Sequence, residues 1–435
     1  MEELKGKKVL VMGGTRISCQ IIEKAKELGC YVIVADYNSY EDSPGKQIAD
    51  KYFDVNILDV DSVVNLISRE NIKGVLVGFS DMLLPYYAEI CDKANLPCYG
   101  TKQQFKLFTQ KSLYKELCRK FNVPTVKEYH IDLNDYKESI HKIKYPVLVK
   151  PSDSSGSRGI SICKSCEELE HCIQYAKKYS KAEEILIEQY LTGPEATVFW
   201  VFQDGEYYLT TIGNRHVKKN QGDVIPLPVG YTFPAITLNN YISDIAPQCR
   251  EMFKAAGIQN GMMFMQCKIE DGHCVVYDIG YRLTGSLEYK LLKATCGYDP
   301  LEMLIYYSVT GKMWPYSIKK MVDPFLKGKY AFNVSCLAAP GTIKEITGCE
   351  SVKKMPEVCD VCIEHYPGET ISEDMRGLLA QITVRVLGVV ENEKYLFSTM
   401  HNIENMIDIV STDHIRLNLP GIEQQDIAGN VYISK

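Results

Sequence analysis

The first hundred residues alternate between short apolar runs and stretches with helical spacing, and this pattern restricts the fold more than any other in the chain. The apolar runs span residues 8–12, 31–35 and 74–77. Helical spacing is found over residues 17–28, 63–70 and 84–94. Apolar strands that alternate with amphipathic helices are typical of a parallel sheet covered by helices on both faces. We therefore predict an α/β domain over residues 1–103.

The turn after the first apolar run bears on which ligand this domain could bind. It reads GGTRIS over residues 13–18, which lacks the G-x-G-x-x-G spacing of a dinucleotide-binding turn. Asp36, at the end of the second run, stands where such a site would hold a ribose-binding acid. Three interpretations stay open: an NAD site, a tight strand-to-helix connection, and a helix N-terminus that binds a substrate anion.

The rest of the chain divides into two further parts. Residues 104–316 begin with helical spacing over 105–121 and continue with strands joined by Asp-Gly turns at 204–205 and 271–272, the pattern of an antiparallel α+β domain. Within it, residues 125–190 or so form a subdomain with strands at 146–150, 159–163 and 184–188 and a helix over 167–179. Residues 317–435 are strand-rich with short helices, one of them over 403–410, and form a small C-terminal α+β domain.

Charge and composition argue against several classes of protein. The formal net charge of −6 opposes a role driven by bulk attraction to nucleic acid or to a membrane surface. No apolar run is long enough to span a bilayer, and residues 1–8 lack the apolar core of a signal peptide, so we expect a cytoplasmic protein. The 16 cysteines include Cys-x-x-Cys pairs at 163/166 and 359/362, for which packing thiols are favoured over zinc half-sites.

The sequence YPVLVKP, residues 145–151, runs into a loop rich in serine and glycine. Small residues let backbone N–H groups approach phosphate oxygens, and hydroxyls add donors. The candidate phosphate ligands in this loop are Ser154, Ser155, Gly156 and Gly159. Lys150, at the strand end, would neutralise phosphate charge. Because the lysine precedes the loop, this is not a P-loop, and a solvated connector is the alternative.

Two acids follow the next apolar strand. Glu188 begins the sequence EQYL, and Glu195 lies seven positions later. A strand end of this kind can present backbone groups and an acid to the edge of an adenine ring. A nearby carboxylate can accept hydrogen bonds from ribose hydroxyls. A solvated acid at a strand end is the alternative for Glu188.

Gln266 and Asp278 lie on either side of the Asp271-Gly272 turn, nearly symmetric about it, so we predict that they face each other on paired strands. Oxygen ligands at the centre of a sheet suit Mg²⁺ held together with substrate phosphates. Arg282 follows, and its guanidinium fork suits a transferring phosphoryl group or an acyl phosphate. The sequence after it predicts a helix with the amides of residues 285–286 at its N-terminus. A structural ion pair between Asp278 and Arg282 is the alternative.

In this order, the motifs resemble those of the ATP-grasp superfamily, over most of the chain. They point to the branch that contains biotin carboxylase, the large subunit of carbamoyl-phosphate synthase, glycinamide ribonucleotide synthetase and microbial amino-acid ligases. The resemblance implies a pre-ATP-grasp α/β domain, a two-part ATP-grasp fold that encloses the nucleotide, and a small C-terminal domain. It also implies a carbon–nitrogen ligase that uses ATP and Mg²⁺ (or Mn²⁺), small-molecule carboxylate and amine substrates, and leaves a homodimer open.

The resemblance assigns roles to individual residues. It implies that two lysines bind nucleotide phosphates, that residues 152–159 form a mobile flap, and that three further residues contact adenine and ribose. It places two metal ligands twelve positions apart and an arginine after them. In order, these residues are Lys111 and Lys150, then Glu188 and Leu191 for adenine and Glu195 for ribose, then Gln266 and Asp278 for the metal, and Arg282.

Two positions depart from the family pattern. The first metal acid is Gln266 here, and the asparagine ligand is Gly280, which leaves one clear carboxylate. Basic residues at 214–220 are candidates to meet the remaining phosphate charge, and we favour Arg215 over His216 because a guanidinium stays charged. A solvated charged loop is the alternative for that stretch. The departures keep open a nucleotide-binding protein without catalysis, besides activities like those of glycinamide ribonucleotide synthetase or carbamoyl-phosphate synthase.

Overall fold

The structure is a computed structural model that describes residues 2–131, 140–152, 159–180, 184–220 and 226–432. The N-terminal part contains a four-stranded parallel sheet, as predicted from the alternating pattern. Its strands are β1 (Lys8–Met12), β2 (Tyr31–Asp36), β3 (Lys51–Asp54) and β4 (Gly74–Leu76). They lie in the order β3-β2-β1-β4. The helices between and after them are α1 (Cys19–Glu27), α2 (Pro44–Ile48), α3 (Val60–Glu70) and α4 (Leu84–Ala94).

The edge strand β3 and the short helix α2 are absent from the sequence prediction. The residues of β3 are KYFD, and all but Phe53 are exposed. An edge strand with exposed side chains has no apolar run by which the sequence could reveal it. The three strands that were predicted are the ones whose side chains are almost wholly buried.

The single helix predicted over residues 105–121 is wrong, because the chain forms two helices there. They are α5 (Lys102–Thr109) and α6 (Lys111–Lys120). Gln110 separates them with φ −90° and ψ 116°, which is extended rather than helical backbone. The break places Lys111 at the first position of α6, where its side chain can leave the helix toward the neighbouring strands.

A small antiparallel sheet with its own apolar core follows. Its strands are β5 (Val147–Pro151), β6 (Ser161–Cys163) and β7 (Ile185–Gln189), in the order β6-β5-β7, and α7 (Cys166–Lys177) packs on them. This sheet corresponds to the predicted subdomain. The isolated bridges Thr125↔Val276 and Glu128↔Glu188 connect the segment before it to a strand of the next sheet and to β7.

The largest sheet has eight antiparallel strands. In chain order they are β8 (Glu195–Gln203), β9 (Glu206–Lys218), β10 (Leu227–Phe233), β11 (Gly261–Glu270), β12 (His273–Gly280), β13 (Tyr330–Leu337), β15 (Val358–Ile363) and β17 (Ile382–Val390). The order across the sheet is β12-β11-β8-β9-β10-β13-β17-β15. Because β10 pairs with β13, the sheet is continuous across the predicted limit at 316/317. The limits of the domains stay predictions.

Further helices pack on this sheet or, in the case of α11, on β4 and α1 of the N-terminal part, and a smaller sheet completes the C-terminal part. The helices are α8 (Leu238–Asp244), α9 (Ala246–Ala255), α10 (Tyr289–Cys296), α11 (Pro300–Thr310), α12 (Cys349–Val352), α13 (Leu396–Met406) and α14 (Gln424–Ile427). The smaller sheet contains β14 (Gly341–Thr347), β16 (Thr370–Ile371) and β18 (Asp408–Ser411). The helix predicted over 403–410 therefore starts earlier and gives way to β18. Among the described residues, no helix has the length and apolarity needed to cross a membrane.

Candidate functional site

The small sheet is held beside β12, the edge strand of the large sheet. The N–H of Val126 donates to the carbonyl of Val276 at 3.1 Å, and the hydroxyl of Thr125 donates to the same carbonyl at 2.8 Å. A few residues later, the N–H of Tyr129 donates to Ile187 in β7 at 2.8 Å. One short segment thus pairs with both sheets, and it brings the side chains of β5 and β7 to those of β12.

Lys150 and Glu188 form a buried ion pair on this small sheet. The Nζ of Lys150 lies 2.8 Å from one carboxylate oxygen of Glu188, and both side chains are almost fully buried. The other oxygen of Glu188 contacts Lys115, whose Nζ also lies 2.9 Å from Glu128. Burial alone would raise the pKa of Glu188, but the charges of Lys150 and Lys115 outweigh it and hold that pKa below its usual value. The carboxylate predicted to approach adenine is therefore engaged with two lysines.

Lys115 is a site residue that the sequence analysis missed. It lies four positions after Lys111 on α6, so both lysines lie on one face of the helix. That spacing is the signal that could have identified it. Burial lowers the pKa of Lys150, with Lys115 and Lys111 adding to the effect and Glu188 opposing it. The three lysines therefore act on one another as a cationic group, in which Lys115 and Lys150 share Glu188 and Lys115 also pairs with Glu128.

Lys111 also reaches the loop after β5. Its Nζ donates to the carbonyl of Ser152 at 3.3 Å. Gly159 closes the loop with φ +74°, and a Cβ there would lie 2.8 Å from Pro151 and 2.9 Å from Tyr179. Only glycine fits this left-handed, crowded position without strain. The predicted phosphate ligands Ser154, Ser155 and Gly156 lie outside the described residues.

Gln266 and Asp278 lie opposite each other on β11 and β12, which confirms the prediction that they face each other. Among the residues that the structure describes, neither side chain has a hydrogen-bond or ion-pair partner. Burial raises the pKa of Asp278 above its usual value, and the charge of Asp81 adds to this, while Lys111, Lys150 and Arg282 oppose it. Asp278 is therefore close to cations from α6, β5 and the segment after β12.

The donor set at these strands fits a magnesium ion that also binds phosphate oxygens. Asp278 offers a carboxylate and Gln266 an amide oxygen, which are ligands of the type that Mg²⁺ takes, and Mg²⁺ usually keeps waters or phosphates as well. No group of three or more His, Cys, Asp or Glu side chains with metal-site geometry is found within the described part of the chain. The site could therefore hold a metal that shares its coordination with a triphosphate, rather than an all-protein cage.

The space beside Gly280, where a side chain would lie, is filled by the ring of Phe264. A Cβ on Gly280 would lie 2.2 Å from Cε1 of Phe264, the residue opposite it on β11. The same ring lies 5.0 Å from the guanidinium carbon of Arg282. The place from which an asparagine side chain would start is thus occupied by Phe264, so this departure from the family pattern changes the shape of the site as well as its ligands.

Arg282 is held by an acid from the first sheet. Its Nε donates to Oδ1 of Asp81 at 2.8 Å, and its Nη2 contacts Oδ2. Asp81 follows β4 and was not assigned a role from sequence, although acids at the carboxyl ends of parallel strands often line ligand sites. The pair joins Arg282 to Asp81 rather than to Asp278. The predicted helix N-terminus at residues 285–286 is wrong, because α10 starts at Tyr289.

Glu195 and Arg215 come together on β8 and β9. They form an ion pair, and Lys268 lies 3.0 Å from the other oxygen of Glu195. The Nε of Arg215 donates to the hydroxyl of Tyr231 at 3.1 Å. Burial would raise the pKa of Glu195, but Arg215 and Lys268 hold it below its usual value. The acid predicted to contact ribose and the arginine predicted to meet phosphate charge thus bind each other in this structure.

The connection between the two sheets carries the predicted adenine segment. Leu191 is buried just after β7. Gly193 follows, and its N–H donates to Glu270 at 3.1 Å, which ties the connection to β11. A Cβ on Gly193 would lie 1.9 Å from the carbonyl oxygen of Ile269, so only glycine permits this approach. The backbone at Leu191 is therefore fixed between the small sheet and the large one.

Asp36, at the end of β2, has a structural role in the turn after β1. The carboxylate of Asp36 accepts the N–H of Gly14 at 2.6 Å and the N–H of Asn38 at 2.9 Å, and it is 2% exposed. A Cβ on Gly14 would lie 2.0 Å from the hydroxyl of Ser43. Asp36 thus stabilises a tight turn, and this geometry favours the strand-to-helix connection over the NAD site among the three interpretations.

Comparison with known proteins is consistent with this architecture. Residues 110–303 match the family described as carbamoyl-phosphate synthase L chain, ATP binding domain. A carbamoyl phosphate synthase large chain from Clostridium botulinum is 26% identical over 307 residues, which are 66% of this chain and 28% of the relative. The chain thus spans much less than half the length of that relative.

Solved structures share the fold over almost the whole chain. The biotin carboxylase domain of the Hydrogenobacter thermophilus 2-oxoglutarate carboxylase, described as a dimer in complex with MgADP and bicarbonate, has TM-score 0.76 and 20% identity, covering 93% of this chain and 90% of that one. An L-amino acid ligase from Bacillus licheniformis has TM-score 0.75 and 18% identity, covering 94% and 99%. A phosphoribosylglycinamide synthetase from Anaerococcus prevotii has TM-score 0.74 and 19% identity, covering 94% and 100%.

Proposed function

We propose that this chain is an ATP-grasp protein and an ATP- and Mg²⁺-dependent ligase, which is supported by the match of residues 110–303 to the ATP-binding domain of the carbamoyl-phosphate synthase L chain. It would activate a small carboxylic acid as an acyl phosphate and transfer the acyl group to an amine. The observation that carries the proposal is that the carboxylate of Asp278 has no hydrogen-bond or ion-pair partner among the described residues, while the charges of Lys111, Lys150 and Arg282 act on its pKa. This arrangement suits a triphosphate with its metal. The metal would supply the positive charge that Asp278 lacks, and the phosphates would supply negative charge for the lysines and Arg282.

The residues would act mainly by position and charge, as in other phosphoryl transfers. Lys111 and Lys150 would hold the phosphates, and the backbone near Leu191 would contact adenine. Asp278 and Gln266 would hold the metal, which in such sites supplies positive charge that polarises the γ-phosphoryl group. Arg282 would exchange part of its pairing with Asp81 for the transferring group.

The reaction balances in two steps. A carboxylate oxygen of the acid attacks the γ-phosphorus, the bond to the bridging oxygen breaks, and ADP leaves. The amine nitrogen then attacks the acyl carbon, and the carbon–oxygen bond to phosphate breaks. Inorganic phosphate leaves, and the nitrogen loses a proton. Arg282 would stabilise negative charge in both steps because a guanidinium fork matches phosphate oxygens.

The likeness to carbamoyl-phosphate synthase over 66% of the chain supports a second candidate, in which bicarbonate is the acid that is activated. The shape of the site would decide between them. Phe264 fills the space beside Gly280, and specificity in this fold depends on such local differences.

The test is ATP turnover in the presence of hydroxylamine with a panel of carboxylic acids and bicarbonate. Formation of ADP and a hydroxamate with one acid would support acyl-phosphate chemistry and identify the acid. Turnover that depends on bicarbonate would support the second candidate, and turnover that requires phosphoribosylamine would indicate a glycinamide ribonucleotide synthetase-like ligase. Tight ATP binding without ADP formation across the panel would favour the nucleotide-binding protein without catalysis.

A further inference from the structure

A small cavity lies beside Arg282, between the large sheet and the segment that leads into α10. Its volume is about 30 Å³, and its lining includes the polar side chains of Arg282, Thr284 and Glu288 together with Phe199 and Phe264. A volume of roughly 10–15 Å³ is enough for one water. The cavity therefore has space for about two waters, or for a group of that size, beside Arg282.

Glu288 is the acid of this cavity, and it is 4% exposed. Its Oε2 accepts a hydrogen bond from the hydroxyl of Thr284. Its Oε1 is buried and has no hydrogen-bond partner among the described residues. A buried carboxylate oxygen without a donor destabilises a folded protein. The carboxylate thus lacks one hydrogen-bond donor, and Glu288 lines a cavity from which a donor could approach.

A role in helix capping does not account for Glu288. It occupies the N-cap position of α10, where an acid usually accepts from the free amides of the first turn. Its side chain makes no capping hydrogen bond. Its carboxylate is directed to Thr284 instead, on the side of the cavity.

A structural ion pair does not account for it either. Among the described residues, no Lys, Arg or His nitrogen lies within 4 Å of the Glu288 carboxylate, the distance at which an ion pair forms. The cation whose charge acts on its pKa is Arg385, which donates to Ser335 at 3.1 Å and lies 3.6 Å from Glu364. Burial raises the pKa of Glu288, while hydroxyls of Ser286 and Thr284 and the charge of Arg385 oppose the rise. The carboxylate is therefore buried without a paired cation, and a cation at its free oxygen would stabilise the charged form.

We propose that Glu288 forms the amine subsite of the ligase. Its unpartnered oxygen binds the ammonium group of a small primary amine, or ammonium itself, and accepts a proton from it. The freed nitrogen attacks the acyl carbon next to Arg282, the new carbon–nitrogen bond forms, and the carbon–oxygen bond to phosphate breaks. The second proton of the nitrogen leaves with phosphate. This inference rests on the proposed ligase function and adds the class of its second substrate.

The variant Glu288→Gln separates the removal of a proton from the amine from the attack of the nitrogen on the acyl carbon. Ammonium and alkylamines are mostly protonated at neutral pH and need a base, whereas hydroxylamine is mostly uncharged and does not. With the acid found in the panel, we expect hydroxamate formation by the variant to stay within about twofold of wild type. We expect amide formation from ammonium chloride, methylamine or glycine to fall by roughly 10²-fold or more, which is the usual contribution of a general base.

Glu404→Gln is the matched control. Glu404 is another mostly buried acid, whose pKa burial raises to about 7, and it accepts the N–H of Ile422 at 2.9 Å in the C-terminal part, away from the cavity. It should leave both products unchanged. Glu288→Asp, which keeps the charge but moves it back, is a second variant if Glu288→Gln does not fold, and it should raise the KM for the amine more than it changes hydroxamate formation.

The outcomes distinguish this inference from the proposed function. If wild type makes no hydroxamate with any acid, the ligase function fails. If wild type makes hydroxamate but uses none of the three amines, the small-amine subsite is wrong. Equal loss of hydroxamate and amide in Glu288→Gln, or no loss of either, would also overturn the role of Glu288.

Discussion

Glu188 and Asp278 are carboxylates on strands that border the same site, but their surroundings differ. Glu188 lies between Lys115 and Lys150, which hold its pKa below the usual value. Asp278 has no such contact among the described residues, and burial raises its pKa. A paired acid can fix the positions of lysines before any ligand binds. The charged form of an unpaired acid is stabilised when a cation arrives. The lysines around Glu188, which we call the lysine side, are therefore held before any ligand binds. The part of the site at Asp278 and Gln266, which we call the metal side because we propose a metal there, would be completed by its ligand.

Among the substitutions that test this comparison, we expect the removal of Lys150 to have the largest effect on ATP turnover. We expect Lys150→Met to lower ATP turnover by about 10³-fold, because one preorganised cation at a phosphoryl group contributes on this scale. The fold should persist because Glu188 keeps its contact with Lys115. Initial rates of ADP formation and a thermal unfolding scan measure both. Lys127→Met, at an exposed lysine that lies 5.1 Å from the ring of Tyr129, is the control and should change neither.

Neutralising the two acids should have different effects: Glu188→Gln should lower stability, whereas Asp278→Asn should lower turnover instead. Glu188→Gln leaves Lys150 buried without its carboxylate, and breaking a buried pair in this way destabilises by about 3–5 kcal/mol. Asp278→Asn removes a carboxylate whose pKa is raised, so its free energy of unfolding at neutral pH should be unchanged or higher. If Asp278 holds the metal as proposed, the turnover of this variant should fall by roughly 10²-fold.

Urea unfolding at pH 7 measures the stability of both variants, and ADP formation at saturating Mg²⁺ measures their turnover. A large loss of stability in Asp278→Asn would mean that Asp278 is paired in the native protein. Full stability in Glu188→Gln would mean that the lysines do not depend on their shared acid. Either result would contradict the contrast between the two sides.

The sequence predicted local parts of this site well. Gln266 and Asp278 are joined by one tight hairpin, so their symmetric distance from the Asp271-Gly272 turn was enough to place them opposite each other. The parallel sheet was predictable in the same way, because its inner strands are continuous apolar runs. Elements whose residues are exposed, such as β3, carry no such signal.

Contacts between distant segments could not be predicted from one sequence. Asp81 and Arg282 are 201 positions apart, and nothing local to either residue indicates the other. Glu195 and Arg215 were each assigned to a ligand, but the pairing of β8 with β9 places them opposite each other. The ring of Phe264 beside Gly280 is likewise a result of strand register. The roles of the individual site residues stay predictions.

A change at Gln266 would sharpen the contrast by adding charge to the metal side. Gln266→Glu places a second carboxylate opposite Asp278, and a further anionic ligand strengthens the binding of a divalent cation. We expect the Mg²⁺ concentration for half-maximal ADP formation to fall by roughly tenfold. Without metal, the two acids would repel each other, so the variant should be less stable in EDTA than wild type. An unchanged Mg²⁺ requirement would place the metal away from these strands.

The smallest effect on activity is expected at His216, next to Arg215 on β9. Burial lowers the pKa of His216 to about 4, with only a partial opposing effect from Asp426, so the ring is neutral at working pH and cannot meet phosphate charge. Its Nε2 lies 2.7 Å from the hydroxyl of Thr232. His216→Gln should therefore keep ADP formation at pH 7.5 within about twofold of wild type. Arg215→Met serves as the comparison, because it removes a charge bound to Glu195 and should have the larger effect.

The same substitution should change how stability depends on pH. Between pH 6.5 and about 4 the unfolded chain binds a proton at His216 while the folded protein does not, so this residue lowers the free energy of unfolding as the pH falls. The effect is at most about 3 kcal/mol and is complete below the folded pKa. Urea unfolding of wild type and His216→Gln at pH 7.5 and pH 4.5 measures it, and the variant should lose less stability between the two. An equal loss, together with a large loss of ADP formation, would show that His216 is charged in the native site and that the cationic side extends along β9.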